Sequence, residues 1–319
     1  KKISNYILIM FFNSFTNKNG YNVDIYEEDI SLHSGIPKQF YGLKNKNFGD
    51  WEIPPWELYI FENRVLGEGA FSKVYLAKWR ETFVVAKVIN RDFVDFKKYL
   101  IEREIDIMTK LHHPNIVQFL GYIDDPFILI MEYIPNGNLK ERIPHLYKKQ
   151  KIKIMINILQ GLNYIHKRLP YSLIHRDIKP TNIILTASNF AKITDFGLSK
   201  FHCIHKNFSS NDLSKLENNS KQNTNYNELT DIVGTEKYMA PELQSNNNNY
   251  TNKIDIYSTG ILLYEMFENR KYVPGQKLYW YWCPKKISTI ITDNMLNFDP
   301  EQRWSAEHIL KYMNLYYNL

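Results

Sequence analysis

Three polar side chains that could act together lie in the stretch Ser172–Gly197, which reads SLIHRDIKPTNIILTASNFAKITDFG. Asp177 opens a polar segment that separates an apolar helical pattern from the short apolar run 183–185, and Asn182 closes that segment. Asp195 comes directly after a second short apolar run. We predict that both runs are strands whose ends present these polar groups to one cleft.

The order HRDxKxxN followed by DFG resembles the catalytic and metal-binding loops of the protein kinases. The resemblance implies that Asp177 accepts the hydrogen bond of the attacking hydroxyl and orients that hydroxyl. It also implies that Lys179 neutralises charge on the phosphoryl group during transfer. Asn182 and Asp195 would bind Mg²⁺, a hard ion that requires oxygen ligands, with Mn²⁺ as a substitute.

A glycine-rich turn lies upstream, where the sequence after Asp50 alternates apolar and polar residues and predicts a β-meander. The turn reads GEGAFSKV and resembles the kinase glycine-rich loop GxGxxGxV, with Ser72 at the third glycine position. Glycines let the backbone lie close over phosphates, so that amide N–H groups face the phosphate oxygens. The residues that this resemblance assigns to ATP are Gly67, Glu68, Gly69, Ala70, Phe71, Ser72 and Val74.

The strand that follows carries a lysine at position 87. Strand alternation places Phe83, Val85 and Lys87 on one face, with Val84 and Ala86 on the other. A buried lysine needs an anionic partner. The alternative is an edge strand whose lysine reaches water.

A helix predicted from Phe96 to Leu111 supplies that partner, because Glu104 faces the same way as its apolar stripe. A carboxylate on a core-facing stripe needs a cation, so we expect Glu104 to pair with Lys87. In the kinases the equivalent lysine holds the α- and β-phosphates and pairs with the helix glutamate. The stripe consists of Leu100, Ile101, Ile105, Met108 and Leu111.

Two further strands are predicted at Gln118–Ile123 and Phe127–Met131, and the following EYIPNG resembles the hinge between kinase lobes. A strand that simply ends at a Pro-Asn-Gly turn is the alternative. The resemblance implies that the backbone of Glu132 and Ile134 hydrogen-bonds adenine, and that Met131 closes the back of the pocket. Val85 stands above the adenine ring where the family usually has alanine, and Ile184 is the remaining residue assigned to the nucleotide.

Two core helices are predicted beyond the hinge. Ile152–His166 repeats apolar residues at helical spacing, and Ile254–Phe267 has the pattern of a core helix. By resemblance, Asp255 should bond the backbone of the catalytic loop. His175 and Phe196 are interpreted as packed residues that stack on each other rather than as catalytic groups.

A long polar segment follows Gly197 and ends at GTEKYMAPE, which resembles the end of a kinase activation segment. Family analogy predicts a buried ion pair between Glu242 and Arg303. We hypothesise that the fixed charge of Asp231 replaces an activating phosphate by pairing with Arg176. Thr230 is the competing candidate, as a true phosphorylation site for an upstream activating kinase.

Composition sets limits on the class of protein. The chain has 319 residues with 44% apolar and 23% charged, typical of an ordinary globular protein. Its formal charge of +6 comes from scattered basic residues, which does not favour nucleic-acid binding. Cys203 and Cys283 cannot form a disulfide framework, so we expect an intracellular, cytoplasmic protein. The apolar run 6–12 is short for a signal peptide, and no stretch is long enough to span a bilayer.

The segment from Glu268 to Pro284 is shorter than the family's usual loop and helix, and the aromatic residues 279–282 crowd into it. We interpret these aromatic residues as cover for the core, with partner binding as the alternative.

Taken together, these motifs predict an α+β fold of the two-lobed protein kinase type. Its smaller lobe (51–133) is an antiparallel β-sheet with one key helix, and its larger lobe (136–319) is mainly helical, with MgATP between them. The two lobes form a kinase domain over 51–319, and residues 1–50 are an extension of unknown role. HRDIKPTN and Gly234-Thr235 match the serine/threonine pattern, and DWEIP with HPNIVQFLGY is similar to the Raf-like, tyrosine-kinase-like group.

The predicted activity is transfer of the γ-phosphoryl group of MgATP to serine or threonine hydroxyls of protein substrates. One alternative is a pseudokinase scaffold that binds nucleotide or partners without efficient transfer. A kinase acting on small molecules is the other alternative, although Ala240-Pro241-Glu242 argues against it because these residues shape a peptide-docking ledge in the family.

Overall fold

The computed structural model describes residues 49–69, 71–169, 171–203, 236–243 and 250–317. These residues form two compact units. The first contains the described residues up to Lys110 together with 118–133, and the second contains 111–117 together with the described residues from Ile134 onward. The predictions for the segment 1–48, for Ala70 and for Thr230 and Asp231 lie outside the described residues.

The first unit is built on one antiparallel sheet of five strands in the order β1-β2-β3-β5-β4. Its central strand β3 follows the predicted alternation: Val84 and Ala86 are fully buried, whereas Phe83 is 52% exposed. The strands are β1 (Leu58–Glu68), β2 (Ser72–Trp79), β3 (Thr82–Ile89), β4 (Phe119–Ile123) and β5 (Ile128–Glu132).

One long helix, α1 (Arg91–Thr109), accompanies this sheet. It begins five residues before the predicted start at Phe96 and ends before Leu111. Its first residues, Arg91 and Asp92, are exposed and add nothing to an apolar pattern, so periodicity could not mark the true start. Glu104 is buried together with Ile101 and Met108 of the predicted stripe, whereas Leu100 and Ile105 are only half-buried. Ile107, which the prediction left out, is buried.

The second unit is mainly helical. Its central helix buries nearly every residue from Ile254 to Glu268, as expected for a helix surrounded by other elements. The predicted amphipathic helix is also present, and its four repeating residues Ile154, Ile158, Leu162 and Ile165 are fully buried. The helices are α2 (Leu139–Arg142), α3 (Lys148–His166), α4 (Lys253–Glu268), α5 (Lys285–Thr289) and α6 (Ala306–Tyr317).

Two short antiparallel ribbons carry the polar loops of the second unit. One pairs β7 (Ile183–Leu185) with β8 (Ala191–Ile193), the two runs predicted as strands. The other pairs β6 (Tyr171–Ile174) with β9 (Lys200–Cys203). The polar segment around Asp177 therefore lies between β6 and β7. The predicted α+β class, with an antiparallel unit and a larger helical unit, is confirmed.

The aromatic residues 279–282 do not cover the core as predicted. Tyr279, Tyr281 and Trp282 are 54%, 63% and 70% exposed. Only Trp280 turns inward, where it packs edge-to-face on Tyr264. The prediction was wrong because apolar character alone does not reveal which side chains the backbone points toward solvent.

No helix among the described residues combines the length and apolar character needed to cross a membrane.

Close packing of α3 on β8 provides a test of how the β7–β8 ribbon is held. A Cβ added at Gly161 would lie 2.9 Å from Cδ1 of Ile193 and 3.1 Å from the carbonyl oxygen of Asn115. We expect Gly161→Ala to lower the free energy of unfolding by about 1–3 kcal/mol through overpacking. Urea unfolding followed by circular dichroism measures the change.

The matched control is Gly49→Ala, since no described heavy atom lies within 4 Å of a Cβ there. Alanine is ordinarily the better helix former, so a Gly161→Ala protein as stable as the wild type would contradict the proposed packing.

Candidate active site

The predicted lysine–glutamate pair is present in the first unit. Nζ of Lys87 on β3 lies 2.7 Å from Oε1 of Glu104 on α1, with the two side chains only 15% and 8% exposed. Each charge would be costly to bury alone, so each fixes the position of the other. The pair therefore ties the central strand to the long helix.

The glycine-rich turn between β1 and β2 is closed by its own backbone. The N–H of Gly69 donates to the carbonyl of Ser72 at 2.9 Å. The ring of Phe71, which is 56% exposed, stacks on Phe93 of α1 with 4.5 Å between ring centroids. In addition, the N–H of Asn90 donates to the carbonyl of Phe71. The turn is thus attached to the first residues of α1.

The residues assigned to adenine lie at the end of the sheet and beyond it. Val85 and Met131 face each other across β3 and β5. The N–H of Glu132 donates to the carbonyl of Gln118, and its carboxylate accepts from the N–H of Gln118. The adenine contacts of these residues stay predictions, as do those of Ile134 and Ile184.

Two predicted catalytic residues, Asp177 and Lys179, and the predicted metal ligand Asn182 come together in the second unit. Nζ of Lys179 lies 2.6 Å from Oδ2 of Asp177. Nδ2 of Asn182 donates to the backbone oxygen of Asp177 and to its Oδ2, both at 2.9 Å. A 3₁₀ turn at Pro180–Asn182 brings Asn182 back toward Asp177.

Asn182 could bind a metal through its side-chain oxygen. Its Nδ2 donates to two oxygens of Asp177, and a neutral amide ligates a cation only through Oδ1. An amide oxygen together with the Asp195 carboxylate is a donor set that suits Mg²⁺. The residues present therefore fit the ion that the sequence predicts.

Asp195 lies in a backbone segment held from both sides. Its φ of +67° is in the left-handed region, which a non-glycine residue adopts only at a cost. The N–H of the preceding residue, Thr194, donates to the carbonyl of Asn182. The carbonyl of Thr194 accepts a hydrogen bond from Nε2 of His175. The following Phe196 is fully buried and packs edge-to-face on His175 at 4.9 Å, as predicted.

The Asp255 carboxylate on α4 holds the start of the segment HRDIKPTN. It accepts from the backbone N–H groups of His175 and Arg176, both at 2.9 Å, which confirms the predicted contact. Sequence reasoning missed the third partner, Nε2 of His166 at 2.8 Å. Burial alone would raise the pKa of Asp255, but the hydrogen bond and charge of His166, with help from His175, hold that pKa below its ordinary value.

Among the described residues, the Arg176 side chain bonds to Leu198 and Tyr250. Its Nε donates to the carbonyl of Leu198 and one guanidinium nitrogen donates to the hydroxyl of Tyr250, both at 2.6 Å. The hypothesised partner, Asp231, lies outside the described residues.

The predicted pair of Glu242 and Arg303 is confirmed. The guanidinium binds both carboxylate oxygens, at 2.6 and 2.8 Å, and the Arg303 side chain is fully buried. This bidentate arrangement anchors the end of the segment that resembles a kinase activation segment.

A nearby contact was missed by sequence reasoning. Glu265 of α4 forms an ion pair with Lys237 and accepts from the hydroxyl of Tyr238 at 2.6 Å. Burial and the neighbouring Glu265 raise the pKa of Tyr238. No local pattern signals such a contact, because its members are 27 or 28 residues apart.

The Asp255 contacts predict an acid-sensitive fold. We expect Asp255→Asn to cost about 1–3 kcal/mol at neutral pH, because one backbone N–H loses its acceptor. A lowered pKa means that the carboxylate stabilises the fold above the unfolded-state value of about 4. This stabilisation is lost as pH falls through the lower folded-state pKa. Thermal unfolding across acidic pH measures both effects.

The exposed Asp293 provides the control, Asp293→Asn. The carboxylate role would be disproved if Asp255→Asn and Asp293→Asn kept the same stability and the same acid dependence as the wild type.

Comparison with known proteins agrees with this geometry. The protein kinase domain family matches residues 61–314. Serine/threonine-protein kinase VIK of Arabidopsis thaliana is 35% identical over 233 residues, which make up 69% of this chain and 48% of VIK. Mitogen-activated protein kinase kinase kinase 7 of Bos taurus is 31% identical over 285 residues, 82% of this chain and 44% of that protein.

A third relative bears on activity. A protein of Arabidopsis thaliana named "Probably inactive leucine-rich repeat receptor-like protein kinase" is 34% identical over 286 residues, 83% of this chain and 26% of its own length. The chain thus spans about half or less of the length of these three relatives. The family match covers most of the chain and includes Lys87, Asp177 and Asp195, so the chain belongs to the eukaryotic-type protein kinase family, with serine/threonine kinases among its relatives.

Proposed function

We propose that this chain is an active serine/threonine protein kinase that transfers the γ-phosphoryl group of MgATP to hydroxyl groups of proteins. The observation that carries the proposal is the set of Asp177, Lys179 and Asn182, joined by bonds of 2.6–2.9 Å in one loop. In this proposal residues 51–319 form the kinase domain, the two units are its lobes, and the residues predicted from the sequence form its site.

Asp177 and Lys179 would act on the reacting groups. Asp177 accepts a hydrogen bond from the substrate hydroxyl and so directs its oxygen at the γ-phosphorus. As the new O–P bond forms, the bond to the leaving ADP oxygen breaks, and the hydroxyl proton passes toward the Asp177 carboxylate. Lys179 bonds to Asp177 in this structure. During transfer its amine would offset negative charge on the phosphoryl oxygens.

Lys87 and Glu104 would orient the nucleotide. Lys87 binds the α- and β-phosphates, and Glu104 keeps the lysine amine in place through the 2.7 Å contact. Asn182 and Asp195 would hold the metal, which would offset the negative charge of the phosphates. The glycine-rich turn would cover the phosphates with backbone N–H groups, and the assigned hinge residues Met131, Glu132 and Ile134 would contact adenine.

Serine/threonine selectivity is supported by Lys179 in HRDIKPTN and by the names of the relatives. The Raf-like assignment, activation through Thr230 or through the charge of Asp231, an upstream kinase and a cytoplasmic location remain proposals.

A pseudokinase scaffold is the second candidate. Val85 in place of the usual alanine and the short segment 268–284 favour it, as does the name of the third relative. The intact lysine, glutamate, aspartates and asparagine favour the active enzyme.

A phosphoryl transfer assay separates the two candidates. We expect the full chain to label a generic basic protein from γ-labelled ATP, and excess chelator to abolish labelling because the metal is lost. Asp195→Asn, which removes a metal ligand, should lower the rate by about a hundredfold or more.

Asp293→Asn is the matched control and should keep the wild-type rate. Equal absence of labelling with wild type and Asp195→Asn would favour the scaffold, and labelling that persists in chelator would refute the metal-dependent mechanism. Labelling of small alcohols in place of protein would indicate a small-molecule kinase.

A further inference from the structure

An exposed surface formed by residues 269–286, here called the aromatic-basic segment, has no role in the proposed chemistry. It contains five lysine or arginine residues and no aspartate or glutamate. Tyr279, Tyr281 and Trp282 are more than half exposed. Large aromatic side chains are rarely left in water together without a binding function. The basic residues are Arg270, Lys271, Lys277, Lys285 and Lys286.

The aromatic side chains are held outward by a buried anchor. The carboxylate of Glu268, only 2% exposed, accepts from the backbone N–H groups of Tyr281, Trp282 and Cys283 at 2.9–3.0 Å. Trp280 packs on Tyr264 and donates from Nε1 to Thr292. Because the backbone is fixed in this way, little conformational entropy would be lost when a partner binds the exposed rings.

Two of the cations of this segment lie over aromatic rings. Nζ of Lys286 is 3.7 Å from the ring centroid of Tyr316. The Arg270 guanidinium lies over the ring of Tyr281, 4.8 Å from its centroid. Within the described part of the chain, none of the five cations lies within 4.0 Å of a carboxylate. Glu268, the acid that borders the segment, is turned inward onto the backbone. The outer face is therefore positive as well as aromatic.

We propose that the aromatic-basic segment binds an acidic peptide segment of a partner protein, in which carboxylates flank an apolar side chain. Carboxylates would pair with Arg270 and the lysines, and the apolar side chain would pack on Tyr281 and Trp282. Tyrosine, tryptophan and arginine are the residues that most often dominate protein–protein binding energy. Opposite charge would also accelerate encounter.

A bilayer surface fits less well. Helices that lie on membranes present an apolar face along their length, whereas residues 269–284 contain no helix. The segment exposes only one large aliphatic side chain, Val273, at 45%. The proposal does not depend on phosphoryl transfer, since none of these residues belongs to the loops assigned to ATP.

Fluorescence anisotropy with the full chain tests the proposal. The probe is a short labelled peptide of Asp, Glu and Leu, and the comparison peptide replaces each acid with its amide, Asn or Gln. We expect the acidic peptide to bind more tightly, with an affinity that falls as salt rises. Tyr281→Ala/Trp282→Ala should weaken binding by about tenfold or more. Lys285→Glu/Lys286→Glu should weaken it and lessen the salt dependence.

Leu169→Ala is the matched control, because Leu169 is 71% exposed and lies outside residues 269–286. Leu169→Ala and Asp195→Asn should bind like the wild type, and thermal unfolding confirms that each variant is folded. Failure of the acidic peptide to bind, or equal binding by the amide peptide or the Tyr281/Trp282 variant, would overturn the proposal. So would binding to phosphatidylserine vesicles in place of peptide.

Discussion

The second unit depends on one buried carboxylate. Asp255 is 1% exposed and accepts hydrogen bonds from His166 and from two consecutive backbone N–H groups. Each of those donors would be costly to bury without an acceptor. Their shared acceptor therefore fixes the backbone at His175 and Arg176, including the positive φ of 70° at Arg176. The position of Asp177 follows from that of its neighbours.

The same constraint recurs at two buried ion pairs. The Lys87–Glu104 pair joins a strand to a helix. The Arg303–Glu242 pair fixes the end of the segment that resembles a kinase activation segment. A buried ion pair adds little stability compared with an apolar pair, but removal of one partner is costly. Such pairs therefore fix the relative positions of the elements that they join. A site that transfers a group depends on such positioning of its side chains.

Sequence reasoning predicted the parts that rest on local periodicity and ordered motifs. Alternation located the face of Lys87, and helical spacing located Glu104, because burial follows directly from those patterns. It failed at the start of α1, where exposed residues carry no pattern. It also missed His166 and the inward turn of Glu268, because both depend on tertiary contacts between elements distant in sequence. The outward direction of Tyr281 and Trp282 follows from that same Glu268 anchor.

We propose that the loop anchored by Asp255 presents Asp177 to a substrate hydroxyl. Single-turnover phosphoryl transfer by Asp177→Asn tests this role when ATP affinity is measured separately. We expect wild-type ATP affinity with transfer slowed by about 10²–10⁴-fold, the range typical of a group that handles the reacting proton. Transfer at the wild-type rate by a folded Asp177→Asn protein would disprove the role of Asp177.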